Sequence, residues 1–315
     1  MRLVFAGTPE VAVPTLTALI ESEHEVSAVI TRPDARKGRG RNLHPSPVKA
    51  LALEHGIEVL TPSTIRQGTE EGDALRARLE ALEPDCIPVV AYGNLIGPEL
   101  LDLPRHGWMN AHFSLLPRWR GASPVQAALM AGDTQTGVTV FRIEQGLDTG
   151  PILGTYAEAM PNDATTESLL DHLAIKAGDL LCEVLDGLER GFVVPQPQDG
   201  EPSYAGKITT EQAHVDFHQD AATIERLIRA LMPQPGAWAM LDDQRLKFGP
   251  ISILDAAALE QELAAGCILV EKKRVLVGTA DGVVQLGNVQ PPGKKYMPAR
   301  DWARGQHDLE SKMFQ

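Results

Sequence analysis

Short apolar runs alternate with helical segments through the first third of the chain. Leu3–Ala6 and Val26–Ile30 are such runs, and Glu70–Leu82 is typical of a helix. Apolar strands separated by helices form parallel sheets that are covered on both faces. The sequence therefore predicts an α/β domain with a mostly parallel sheet. We also expect Thr8 to cap the helix after the first strand, because Pro9 suits the first helical position.

The pattern changes after residue 137. Two strands, "GVTVFRI" and "GPILGTYAEA", flank the turn-rich "EQGLDTG", and a long helix follows over about 165–189. Residues 190–205 are rich in Pro, Gly and Gln, which predicts a linker. Residues 206–315 contain one helix and several short strands, among them Leu246–Leu254 and Val283–Val289. We therefore expect a domain over 1–189 and a small β-barrel or sandwich over 206–315, with an OB-like barrel as one option.

The composition limits the class of protein. A chain of 315 residues is long enough for two cores. It contains no apolar run of about 18 residues, so we expect no membrane span. Its start, "MRLVFAGTPE", is unlike a signal peptide, and three widely spaced cysteines indicate reduced thiols in a cytoplasmic protein. The net charge of -13 argues against broad nonspecific binding to nucleic acid but allows a local basic patch.

The stretch "NAHFSLLPRWRGASP" carries the strongest indication of chemistry. Asn110 and His112 are two residues apart in a predicted strand, so their side chains leave the same face. An amide and an imidazolium together can stabilise an oxyanion, and we expect His112 to be charged or to become charged during turnover. A carboxylate should orient the ring, and Asp148 in "GLDTG" is the best candidate. The ordinary alternative is an Asn and a His that only make hydrogen bonds at a strand end.

Other motifs are weaker. "GTPE" after the first strand lacks the three-glycine fingerprint of dinucleotide sites, and the chain has no Walker A segment. His214 and His218 are spaced as on one helical turn, but no third ligand is evident. We therefore expect no metal site.

A basic segment, "RPDARKGRGRNLHPSPVK", stands out in this acidic chain. It includes Arg36, Lys37, Arg39 and Arg41, with Asp34 as its single acid. "PPGKK", with Lys294 and Lys295, repeats the pattern near the C-terminus. Concentrated basic charge fits contacts to a phosphate backbone, although a solvated loop has the same composition.

Taken together, these motifs resemble the methionyl-tRNA formyltransferase family. "FAGTPE", "PDARKGRGRNLHPSPVK", "VVAYG", "NAHFSLLPRWRGASP", "GDTQTGVTVFRIEQGLDTG", "YAGKIT" and "QPPGKK" occur in the family's order, nearly from end to end. The Asn-x-His and Asp set is shared with other folate-dependent formyltransferases. The basic loop and the C-terminal region narrow the resemblance to the tRNA enzyme.

The resemblance implies a Rossmann-like domain that binds 10-formyltetrahydrofolate and an OB-like domain that binds initiator methionyl-tRNA. The enzyme would transfer the formyl group to the α-amine of the methionyl-tRNA, for translation initiation, without a metal. Asn110 and His112 would hold the oxyanion, and Asp148 would pair with His112. The folate segment would be Ser114, Leu115, Leu116 and Pro117. The tRNA contacts would be Arg36, Lys37, Arg39, Arg41, Lys207, Lys294 and Lys295.

Two alternatives remain open from the sequence. A formyltransferase for an amino sugar nucleotide would share the catalytic motifs, but would not need the basic loop. A tRNA-binding module without activity would not need Asn110, His112 and Asp148. We expect the protein to act as a monomer.

Overall fold

A computed structural model describes residues 1–37, 42–255 and 262–315 of the chain. Within those ranges the chain divides into two compact units. The first unit contains residues 1–124, 135–159 and 170–204, and the second contains residues 125–134, 160–169 and 205–315.

The regular elements follow one another in a βα pattern that changes to mostly β. The strands are β1 (Arg2–Gly7), β2 (Glu25–Ile30), β3 (Ala35–Lys37), β4 (Asn42–His44), β5 (Glu58–Leu60), β6 (Ile87–Val90), β7 (Trp108–His112), β8 (Arg120–Gly121), β9 (Gln135–Arg142), β10 (Ile152–Ala159), β11 (Tyr204–Ala205), β12 (Trp238–Leu241), β13 (Gln244–Phe248), β14 (Ile251–Leu254), β15 (Ile268–Val270), β16 (Val275–Gly278), β17 (Val283–Leu286), β18 (Asn288–Gln290) and β19 (Met297–Pro298). The helices are α1 (Val13–Glu21), α2 (Pro47–Glu54), α3 (Glu70–Leu82), α4 (Pro98–Leu101), α5 (Pro124–Ala131), α6 (Thr166–Glu189), α7 (Ala221–Ala230) and α8 (Ala299–Ala303).

The first unit is built on a sheet that has, among the described residues, seven strands in the order β10-β9-β7-β6-β1-β2-β5. The strands β7, β6, β1, β2 and β5 are parallel, while β9 and β10 form an antiparallel edge. Leu3 to Ala6 of β1 are fully buried, as expected for a strand covered on both faces. The predicted mostly parallel, Rossmann-like sheet is confirmed.

The order of the strands reverses between β1 and β6. The chain places β2 and β5 on one side of β1 and then returns to place β6 and β7 on the other side. Open α/β sheets bind ligands in the crevice at such a switch point, beyond the carboxyl ends of the strands. The ends of β1 and β6 are joined there by Thr8, whose hydroxyl donates to the Tyr92 carbonyl oxygen at 3.1 Å.

The helix start predicted at Thr8 is wrong. Ser46 caps α2, and its hydroxyl accepts a hydrogen bond from the Lys49 amide. Thr8 caps no helix, because its hydroxyl contacts the neighbouring strand end and a 3-10 turn at Glu10–Ala12 precedes α1. A helix N-terminus and a tertiary partner can compete for the same hydroxyl, and the Thr8 hydroxyl binds its tertiary partner, Tyr92.

The second unit contains two antiparallel sheets in the described part of the chain, β12-β13-β18-β19 and β14-β17-β16-β15. Its core includes an aromatic cluster in which Phe217 lies 5.6 Å from Phe248 and 5.3 Å from Phe314 between ring centroids. The predicted second domain of short antiparallel strands is confirmed. The predicted strands Leu246–Leu254 and Val283–Val289 are each divided into two. Gly249-Pro250 interrupts the first, and Gly287 interrupts the second. None of the helices in the described ranges has both the length and the hydropathy that a membrane span needs.

Candidate active site

Asn110 and His112 lie on one face of β7. In the antiparallel pairing with β9, Asn110 is opposite Phe141 and His112 is opposite Thr139. The Phe141 ring meets the His112 ring edge to face, with 6.3 Å between centroids. His112 is only 5% exposed, whereas Asn110 is partly exposed. The face thus offers a buried imidazole beside a carboxamide that a ligand can reach.

The loop between β9 and β10 brings Asp148 to this face. Asp148 Oδ2 lies 3.8 Å from His112 Nδ1 and accepts a hydrogen bond from the Gly121 amide at 2.7 Å. Gly150 allows the loop to return so tightly, because a Cβ at that position would collide with the carbonyl oxygen of Arg142. Gly150 of "GLDTG" therefore has a steric role in the loop that places the carboxylate beside the ring.

The His112 ring has a defined tautomer. Its Nε2 lies 2.9 Å from the carbonyl oxygen of Trp119, and because a carbonyl only accepts, Nε2 carries a proton. Nδ1 is then the atom that faces Asp148. Burial lowers the pKa of His112 below its usual value, and this outweighs the Asp148 carboxylate and the Trp119 carbonyl, which raise it. The ring is therefore mostly neutral near pH 7. Of our two expectations for His112, that the ring is charged at rest or becomes charged during turnover, the second remains a prediction.

The predicted folate segment forms a tight turn after β7. The Ser114 hydroxyl donates to the Arg118 carbonyl oxygen at 2.7 Å. The Thr139 hydroxyl donates to the Ser114 carbonyl and accepts from the Leu116 amide. Ser114 and Leu116 are buried, and Leu115 and Pro117 are partly exposed. The polar groups of the turn bond to one another and to Thr139, and they thereby support the loop that follows His112.

Two residues that organise this site were not predicted from the sequence. Gln198 donates to the carbonyl oxygens of Asp148 and Gly150, and it accepts from the Arg120 guanidinium. Ser203 accepts from the Trp119 amide at 2.9 Å. Gln198 and Ser203 lie in the segment that we interpreted as a linker, where a Pro- and Gln-rich composition gives no periodic signal. Arg120 anchors a loop, and the Arg118 guanidinium stacks 4.3 Å from the Trp119 ring centroid.

Known proteins resemble this chain over nearly its whole length. A formyl transferase family model matches residues 1–185, and a formyl transferase C-terminal domain model matches residues 207–307. The chain is 60% identical over 313 residues to the methionyl-tRNA formyltransferase of Corynebacterium aurimucosum. The matched region covers 97% of this chain and 94% of the relative. The chain belongs to the methionyl-tRNA formyltransferase family.

Solved structures share the fold at low identity. The methionyl-tRNA formyltransferase of Clostridium thermocellum superimposes with a TM-score of 0.55 at 18% identity, over 81% of this chain and 94% of that chain. An N-formyltransferase of Helicobacter canadensis, solved with folinic acid and dTDP-3-aminofucose, gives a TM-score of 0.67 at 16% identity, over 92% of this chain and 98% of that chain. At these identities both structures support the fold alone.

Two concavities border the segment between β6 and β7 in the described part of the first unit. One of about 660 Å³ is lined by residues 63–67 and 94–99. Another of about 420 Å³ is lined by residues that include Leu101, Arg142 and Glu144. The Arg142 Nε atom is buried with no hydrogen-bond partner among the described residues. Both volumes fall within the roughly 300–1,000 Å³ that is typical of small-molecule sites.

The basic residues predicted to contact tRNA lie in both units. In the first unit, Arg36 and Lys37 belong to β3, which pairs with β4 in a hairpin, and Arg39 and Arg41 lie outside the described residues. Lys49 is held by Asp34 at 2.7 Å, at the base of this hairpin. In the second unit, Lys207, Lys294 and Lys295 are exposed.

The two histidines that are spaced as on one helical turn, His214 and His218, have protein partners. His214 Nε2 contacts the Gln315 carbonyl oxygen, and His218 Nδ1 contacts Asp216. One group in the described ranges has the geometry for a metal ion: His24, Asp186 and Glu189. The Met1 ammonium already lies 3.2 Å from both His24 Nδ1 and Glu189 Oε1 and supplies the positive charge there.

Proposed function

We propose that the protein transfers the formyl group of 10-formyltetrahydrofolate to the α-amine of methionyl initiator tRNA. The product, N-formylmethionyl-tRNA, starts protein synthesis. The observation that carries the proposal is the arrangement of Asn110, His112 and Asp148 on one face, in a chain that is 60% identical to a named methionyl-tRNA formyltransferase. Membership of the formyl transferase family supports a folate as the formyl donor.

The three residues divide the chemistry between them. The Asn110 carboxamide donates an N–H to the formyl oxygen, whose negative charge grows when the amine attacks the formyl carbon. His112 accepts a proton from the attacking nitrogen at Nδ1, because Nε2 already carries one. Asp148, 3.8 Å away, stabilises the charged ring. The protonated Nδ1 of His112 then donates a hydrogen bond to the formyl oxygen, which Asn110 also binds. As the bond between the formyl carbon and the folate nitrogen breaks, the proton on Nδ1 passes through water to the folate nitrogen.

The turn of Ser114, Leu115, Leu116 and Pro117 backs the folate beside Asn110. Residues 1–189 carry folate binding and catalysis, residues 190–205 join the domains, and residues 206–315 bind tRNA. Phosphates of the tRNA contact Arg36, Lys37, Arg39, Arg41, Lys207, Lys294 and Lys295. The enzyme acts as a monomer in the cytoplasm, and light scattering would report its mass in solution.

The second candidate is transfer to an amino sugar nucleotide. The sugar N-formyltransferase superimposes better on this chain than the tRNA enzyme, with a TM-score of 0.67 against 0.55. That superposition reflects the fold. The sequence identity and the basic hairpin support the tRNA instead.

A competition assay separates the two functions. Formyl transfer from 10-formyltetrahydrofolate is measured with charged initiator tRNA, with charged elongator methionyl-tRNA, and with a dTDP-amino sugar. We expect the initiator tRNA to be preferred strongly over both. Preference for the sugar would contradict the proposed function.

A further inference from the structure

We propose that Gln198 is a positioning residue that holds the catalytic loop of Asp148 against His112. This inference rests on the proposed function, because it concerns the same site. Gln198 lies outside the motifs that carry the chemistry, in the segment between α6 and β11. It touches neither reacting atom, and it acts through the two loops that hold the ring and the carboxylate.

The Gln198 carboxamide is saturated by four hydrogen bonds. Nε2 donates to the Asp148 carbonyl at 2.7 Å and to the Gly150 carbonyl at 2.9 Å. Oε1 accepts from Arg120 Nε at 3.1 Å and from Nη2 at 2.6 Å. Two acceptors on one side and a cation on the other fix the orientation of the amide. A side chain without both donors and an acceptor cannot replace it.

These bonds fix a backbone conformation that is costly without them. Asp148 has a φ of 50°, which lies in the left-handed region that residues other than glycine seldom adopt. Such a conformation persists only when its surroundings determine it. Gln198 holds the carbonyl of Asp148, and the Gly121 amide holds its carboxylate. Asp148 is therefore held both at its backbone carbonyl and at its carboxylate.

The same segment also holds the partner of the histidine. Trp119, whose carbonyl binds His112 Nε2, donates its amide to the Ser203 hydroxyl. The Arg120 amide donates to the Ser203 carbonyl at 2.8 Å. Gln198 and Ser203 thus connect the Trp119–Gly121 loop with the Asp148–Gly150 loop. Loss of the Gln198 bonds should let Asp148 move away from the ring.

Gln198→Met tests the inference because it keeps the length and removes every polar contact. We expect kcat to fall by roughly 10-fold, with the KM for both substrates within about 2-fold, because positioning acts on the reacting geometry. When the Asp148 carboxylate moves away from the ring, the pKa of His112 should fall further. The acid limb of the kcat/KM profile should therefore move to lower pH. A residue that merely supports the fold would not shift that limb.

A second variant and a control keep the test decisive. Gln198→Glu retains the acceptor for Arg120 but turns a carboxylate toward two carbonyls, so kcat should fall at least as far as in Gln198→Met. Gln196→Met is the control, since Gln196 is exposed and its side chain donates to the Val194 carbonyl. Gln196→Met should behave as wild type. Equal loss in the Gln196 and Gln198 variants would overturn the inference.

An NMR titration of the His112 ring separates this inference from the proposed function. The resonance is assigned with His112→Asn, and its pKa is compared between the wild type and Gln198→Met without any substrate. A lower pKa in the variant supports the positioning role even if the wild type fails to formylate tRNA. Wild-type kcat and an unchanged His112 pKa in both Gln198 variants would refute it.

Discussion

The Asp148 carboxylate lies 3.8 Å from Nδ1 of His112, while Nε2 of the same ring is bound to a backbone carbonyl. The ring therefore has one nitrogen that is already protonated and one that is free to take a proton. The free nitrogen faces the carboxylate, which would stabilise the charge that a proton brings. This geometry suits a base that is neutral at rest and charged during turnover.

The pH dependence of the reaction follows from this geometry. Burial lowers the pKa of His112 below its usual value, and the neutral ring is the active form in our account. We therefore expect kcat/KM to be constant near pH 7 and to fall as the pH drops through this lowered pKa. The measurement is a profile from pH 5 to 8 with the wild type and Asn110→Ala. The same limb should appear in both, because Asn110 does not titrate, and a rate that rises toward low pH would contradict the assignment.

Asn110→Ala should lower kcat by on the order of 100-fold, because a removed oxyanion donor costs about that much in other enzymes. Binding of the folate should change little, since Asn110 contacts only the reacting oxygen in our account. Steady-state kinetics and folate titration would report both quantities. Near wild-type turnover would remove Asn110 from the mechanism.

Gly150→Ala should destabilise the first unit and displace the loop that carries Asp148. The added Cβ would collide with the Arg142 carbonyl oxygen, and overpacking of this kind costs about 1–3 kcal/mol. Thermal unfolding and kcat would be measured together. Gly206→Ala is the matched control, because a Cβ there meets no heavy atom within 4 Å. Equal unfolding temperatures for the two variants would contradict the steric role of Gly150.

Much of the first unit could be predicted from the sequence, whereas the support of its site could not. Apolar runs and helical periodicity define strands and helices locally, so β1, β2 and α3 lie where the sequence placed them. The bonds of Gln198 depend on a contact between residues about 50 positions apart in sequence. No local pattern marks such a contact. The hydroxyl of Thr8 was assigned wrongly for the same reason, since its partner is 84 residues away.

The basic residues should act in two different ways on tRNA. Lys294→Ala should weaken initiator and elongator tRNA about equally and reduce the salt slope by roughly 0.9, as the loss of one phosphate contact does. Arg39→Ala should reduce transfer to initiator tRNA strongly and erode discrimination against elongator tRNA. Lys312→Ala is the control, because Lys312 is already paired with Asp242 at 2.6 Å. Formylation of both tRNAs at several salt concentrations would report these effects, and wild-type behaviour of Arg39→Ala would favour the sugar substrate.

The most direct test of the account is the rate of formyl transfer to initiator methionyl-tRNA by Asp148→Asn. The amide keeps the shape of the side chain and an acceptor for the Gly121 N–H, but it removes the charge that stabilises protonated His112. We predict that kcat at saturating substrates falls by on the order of 100-fold, while the folate is still bound. A kcat within about 2-fold of the wild type would contradict the central claim, that Asp148 and His112 act together on the proton of the attacking amine.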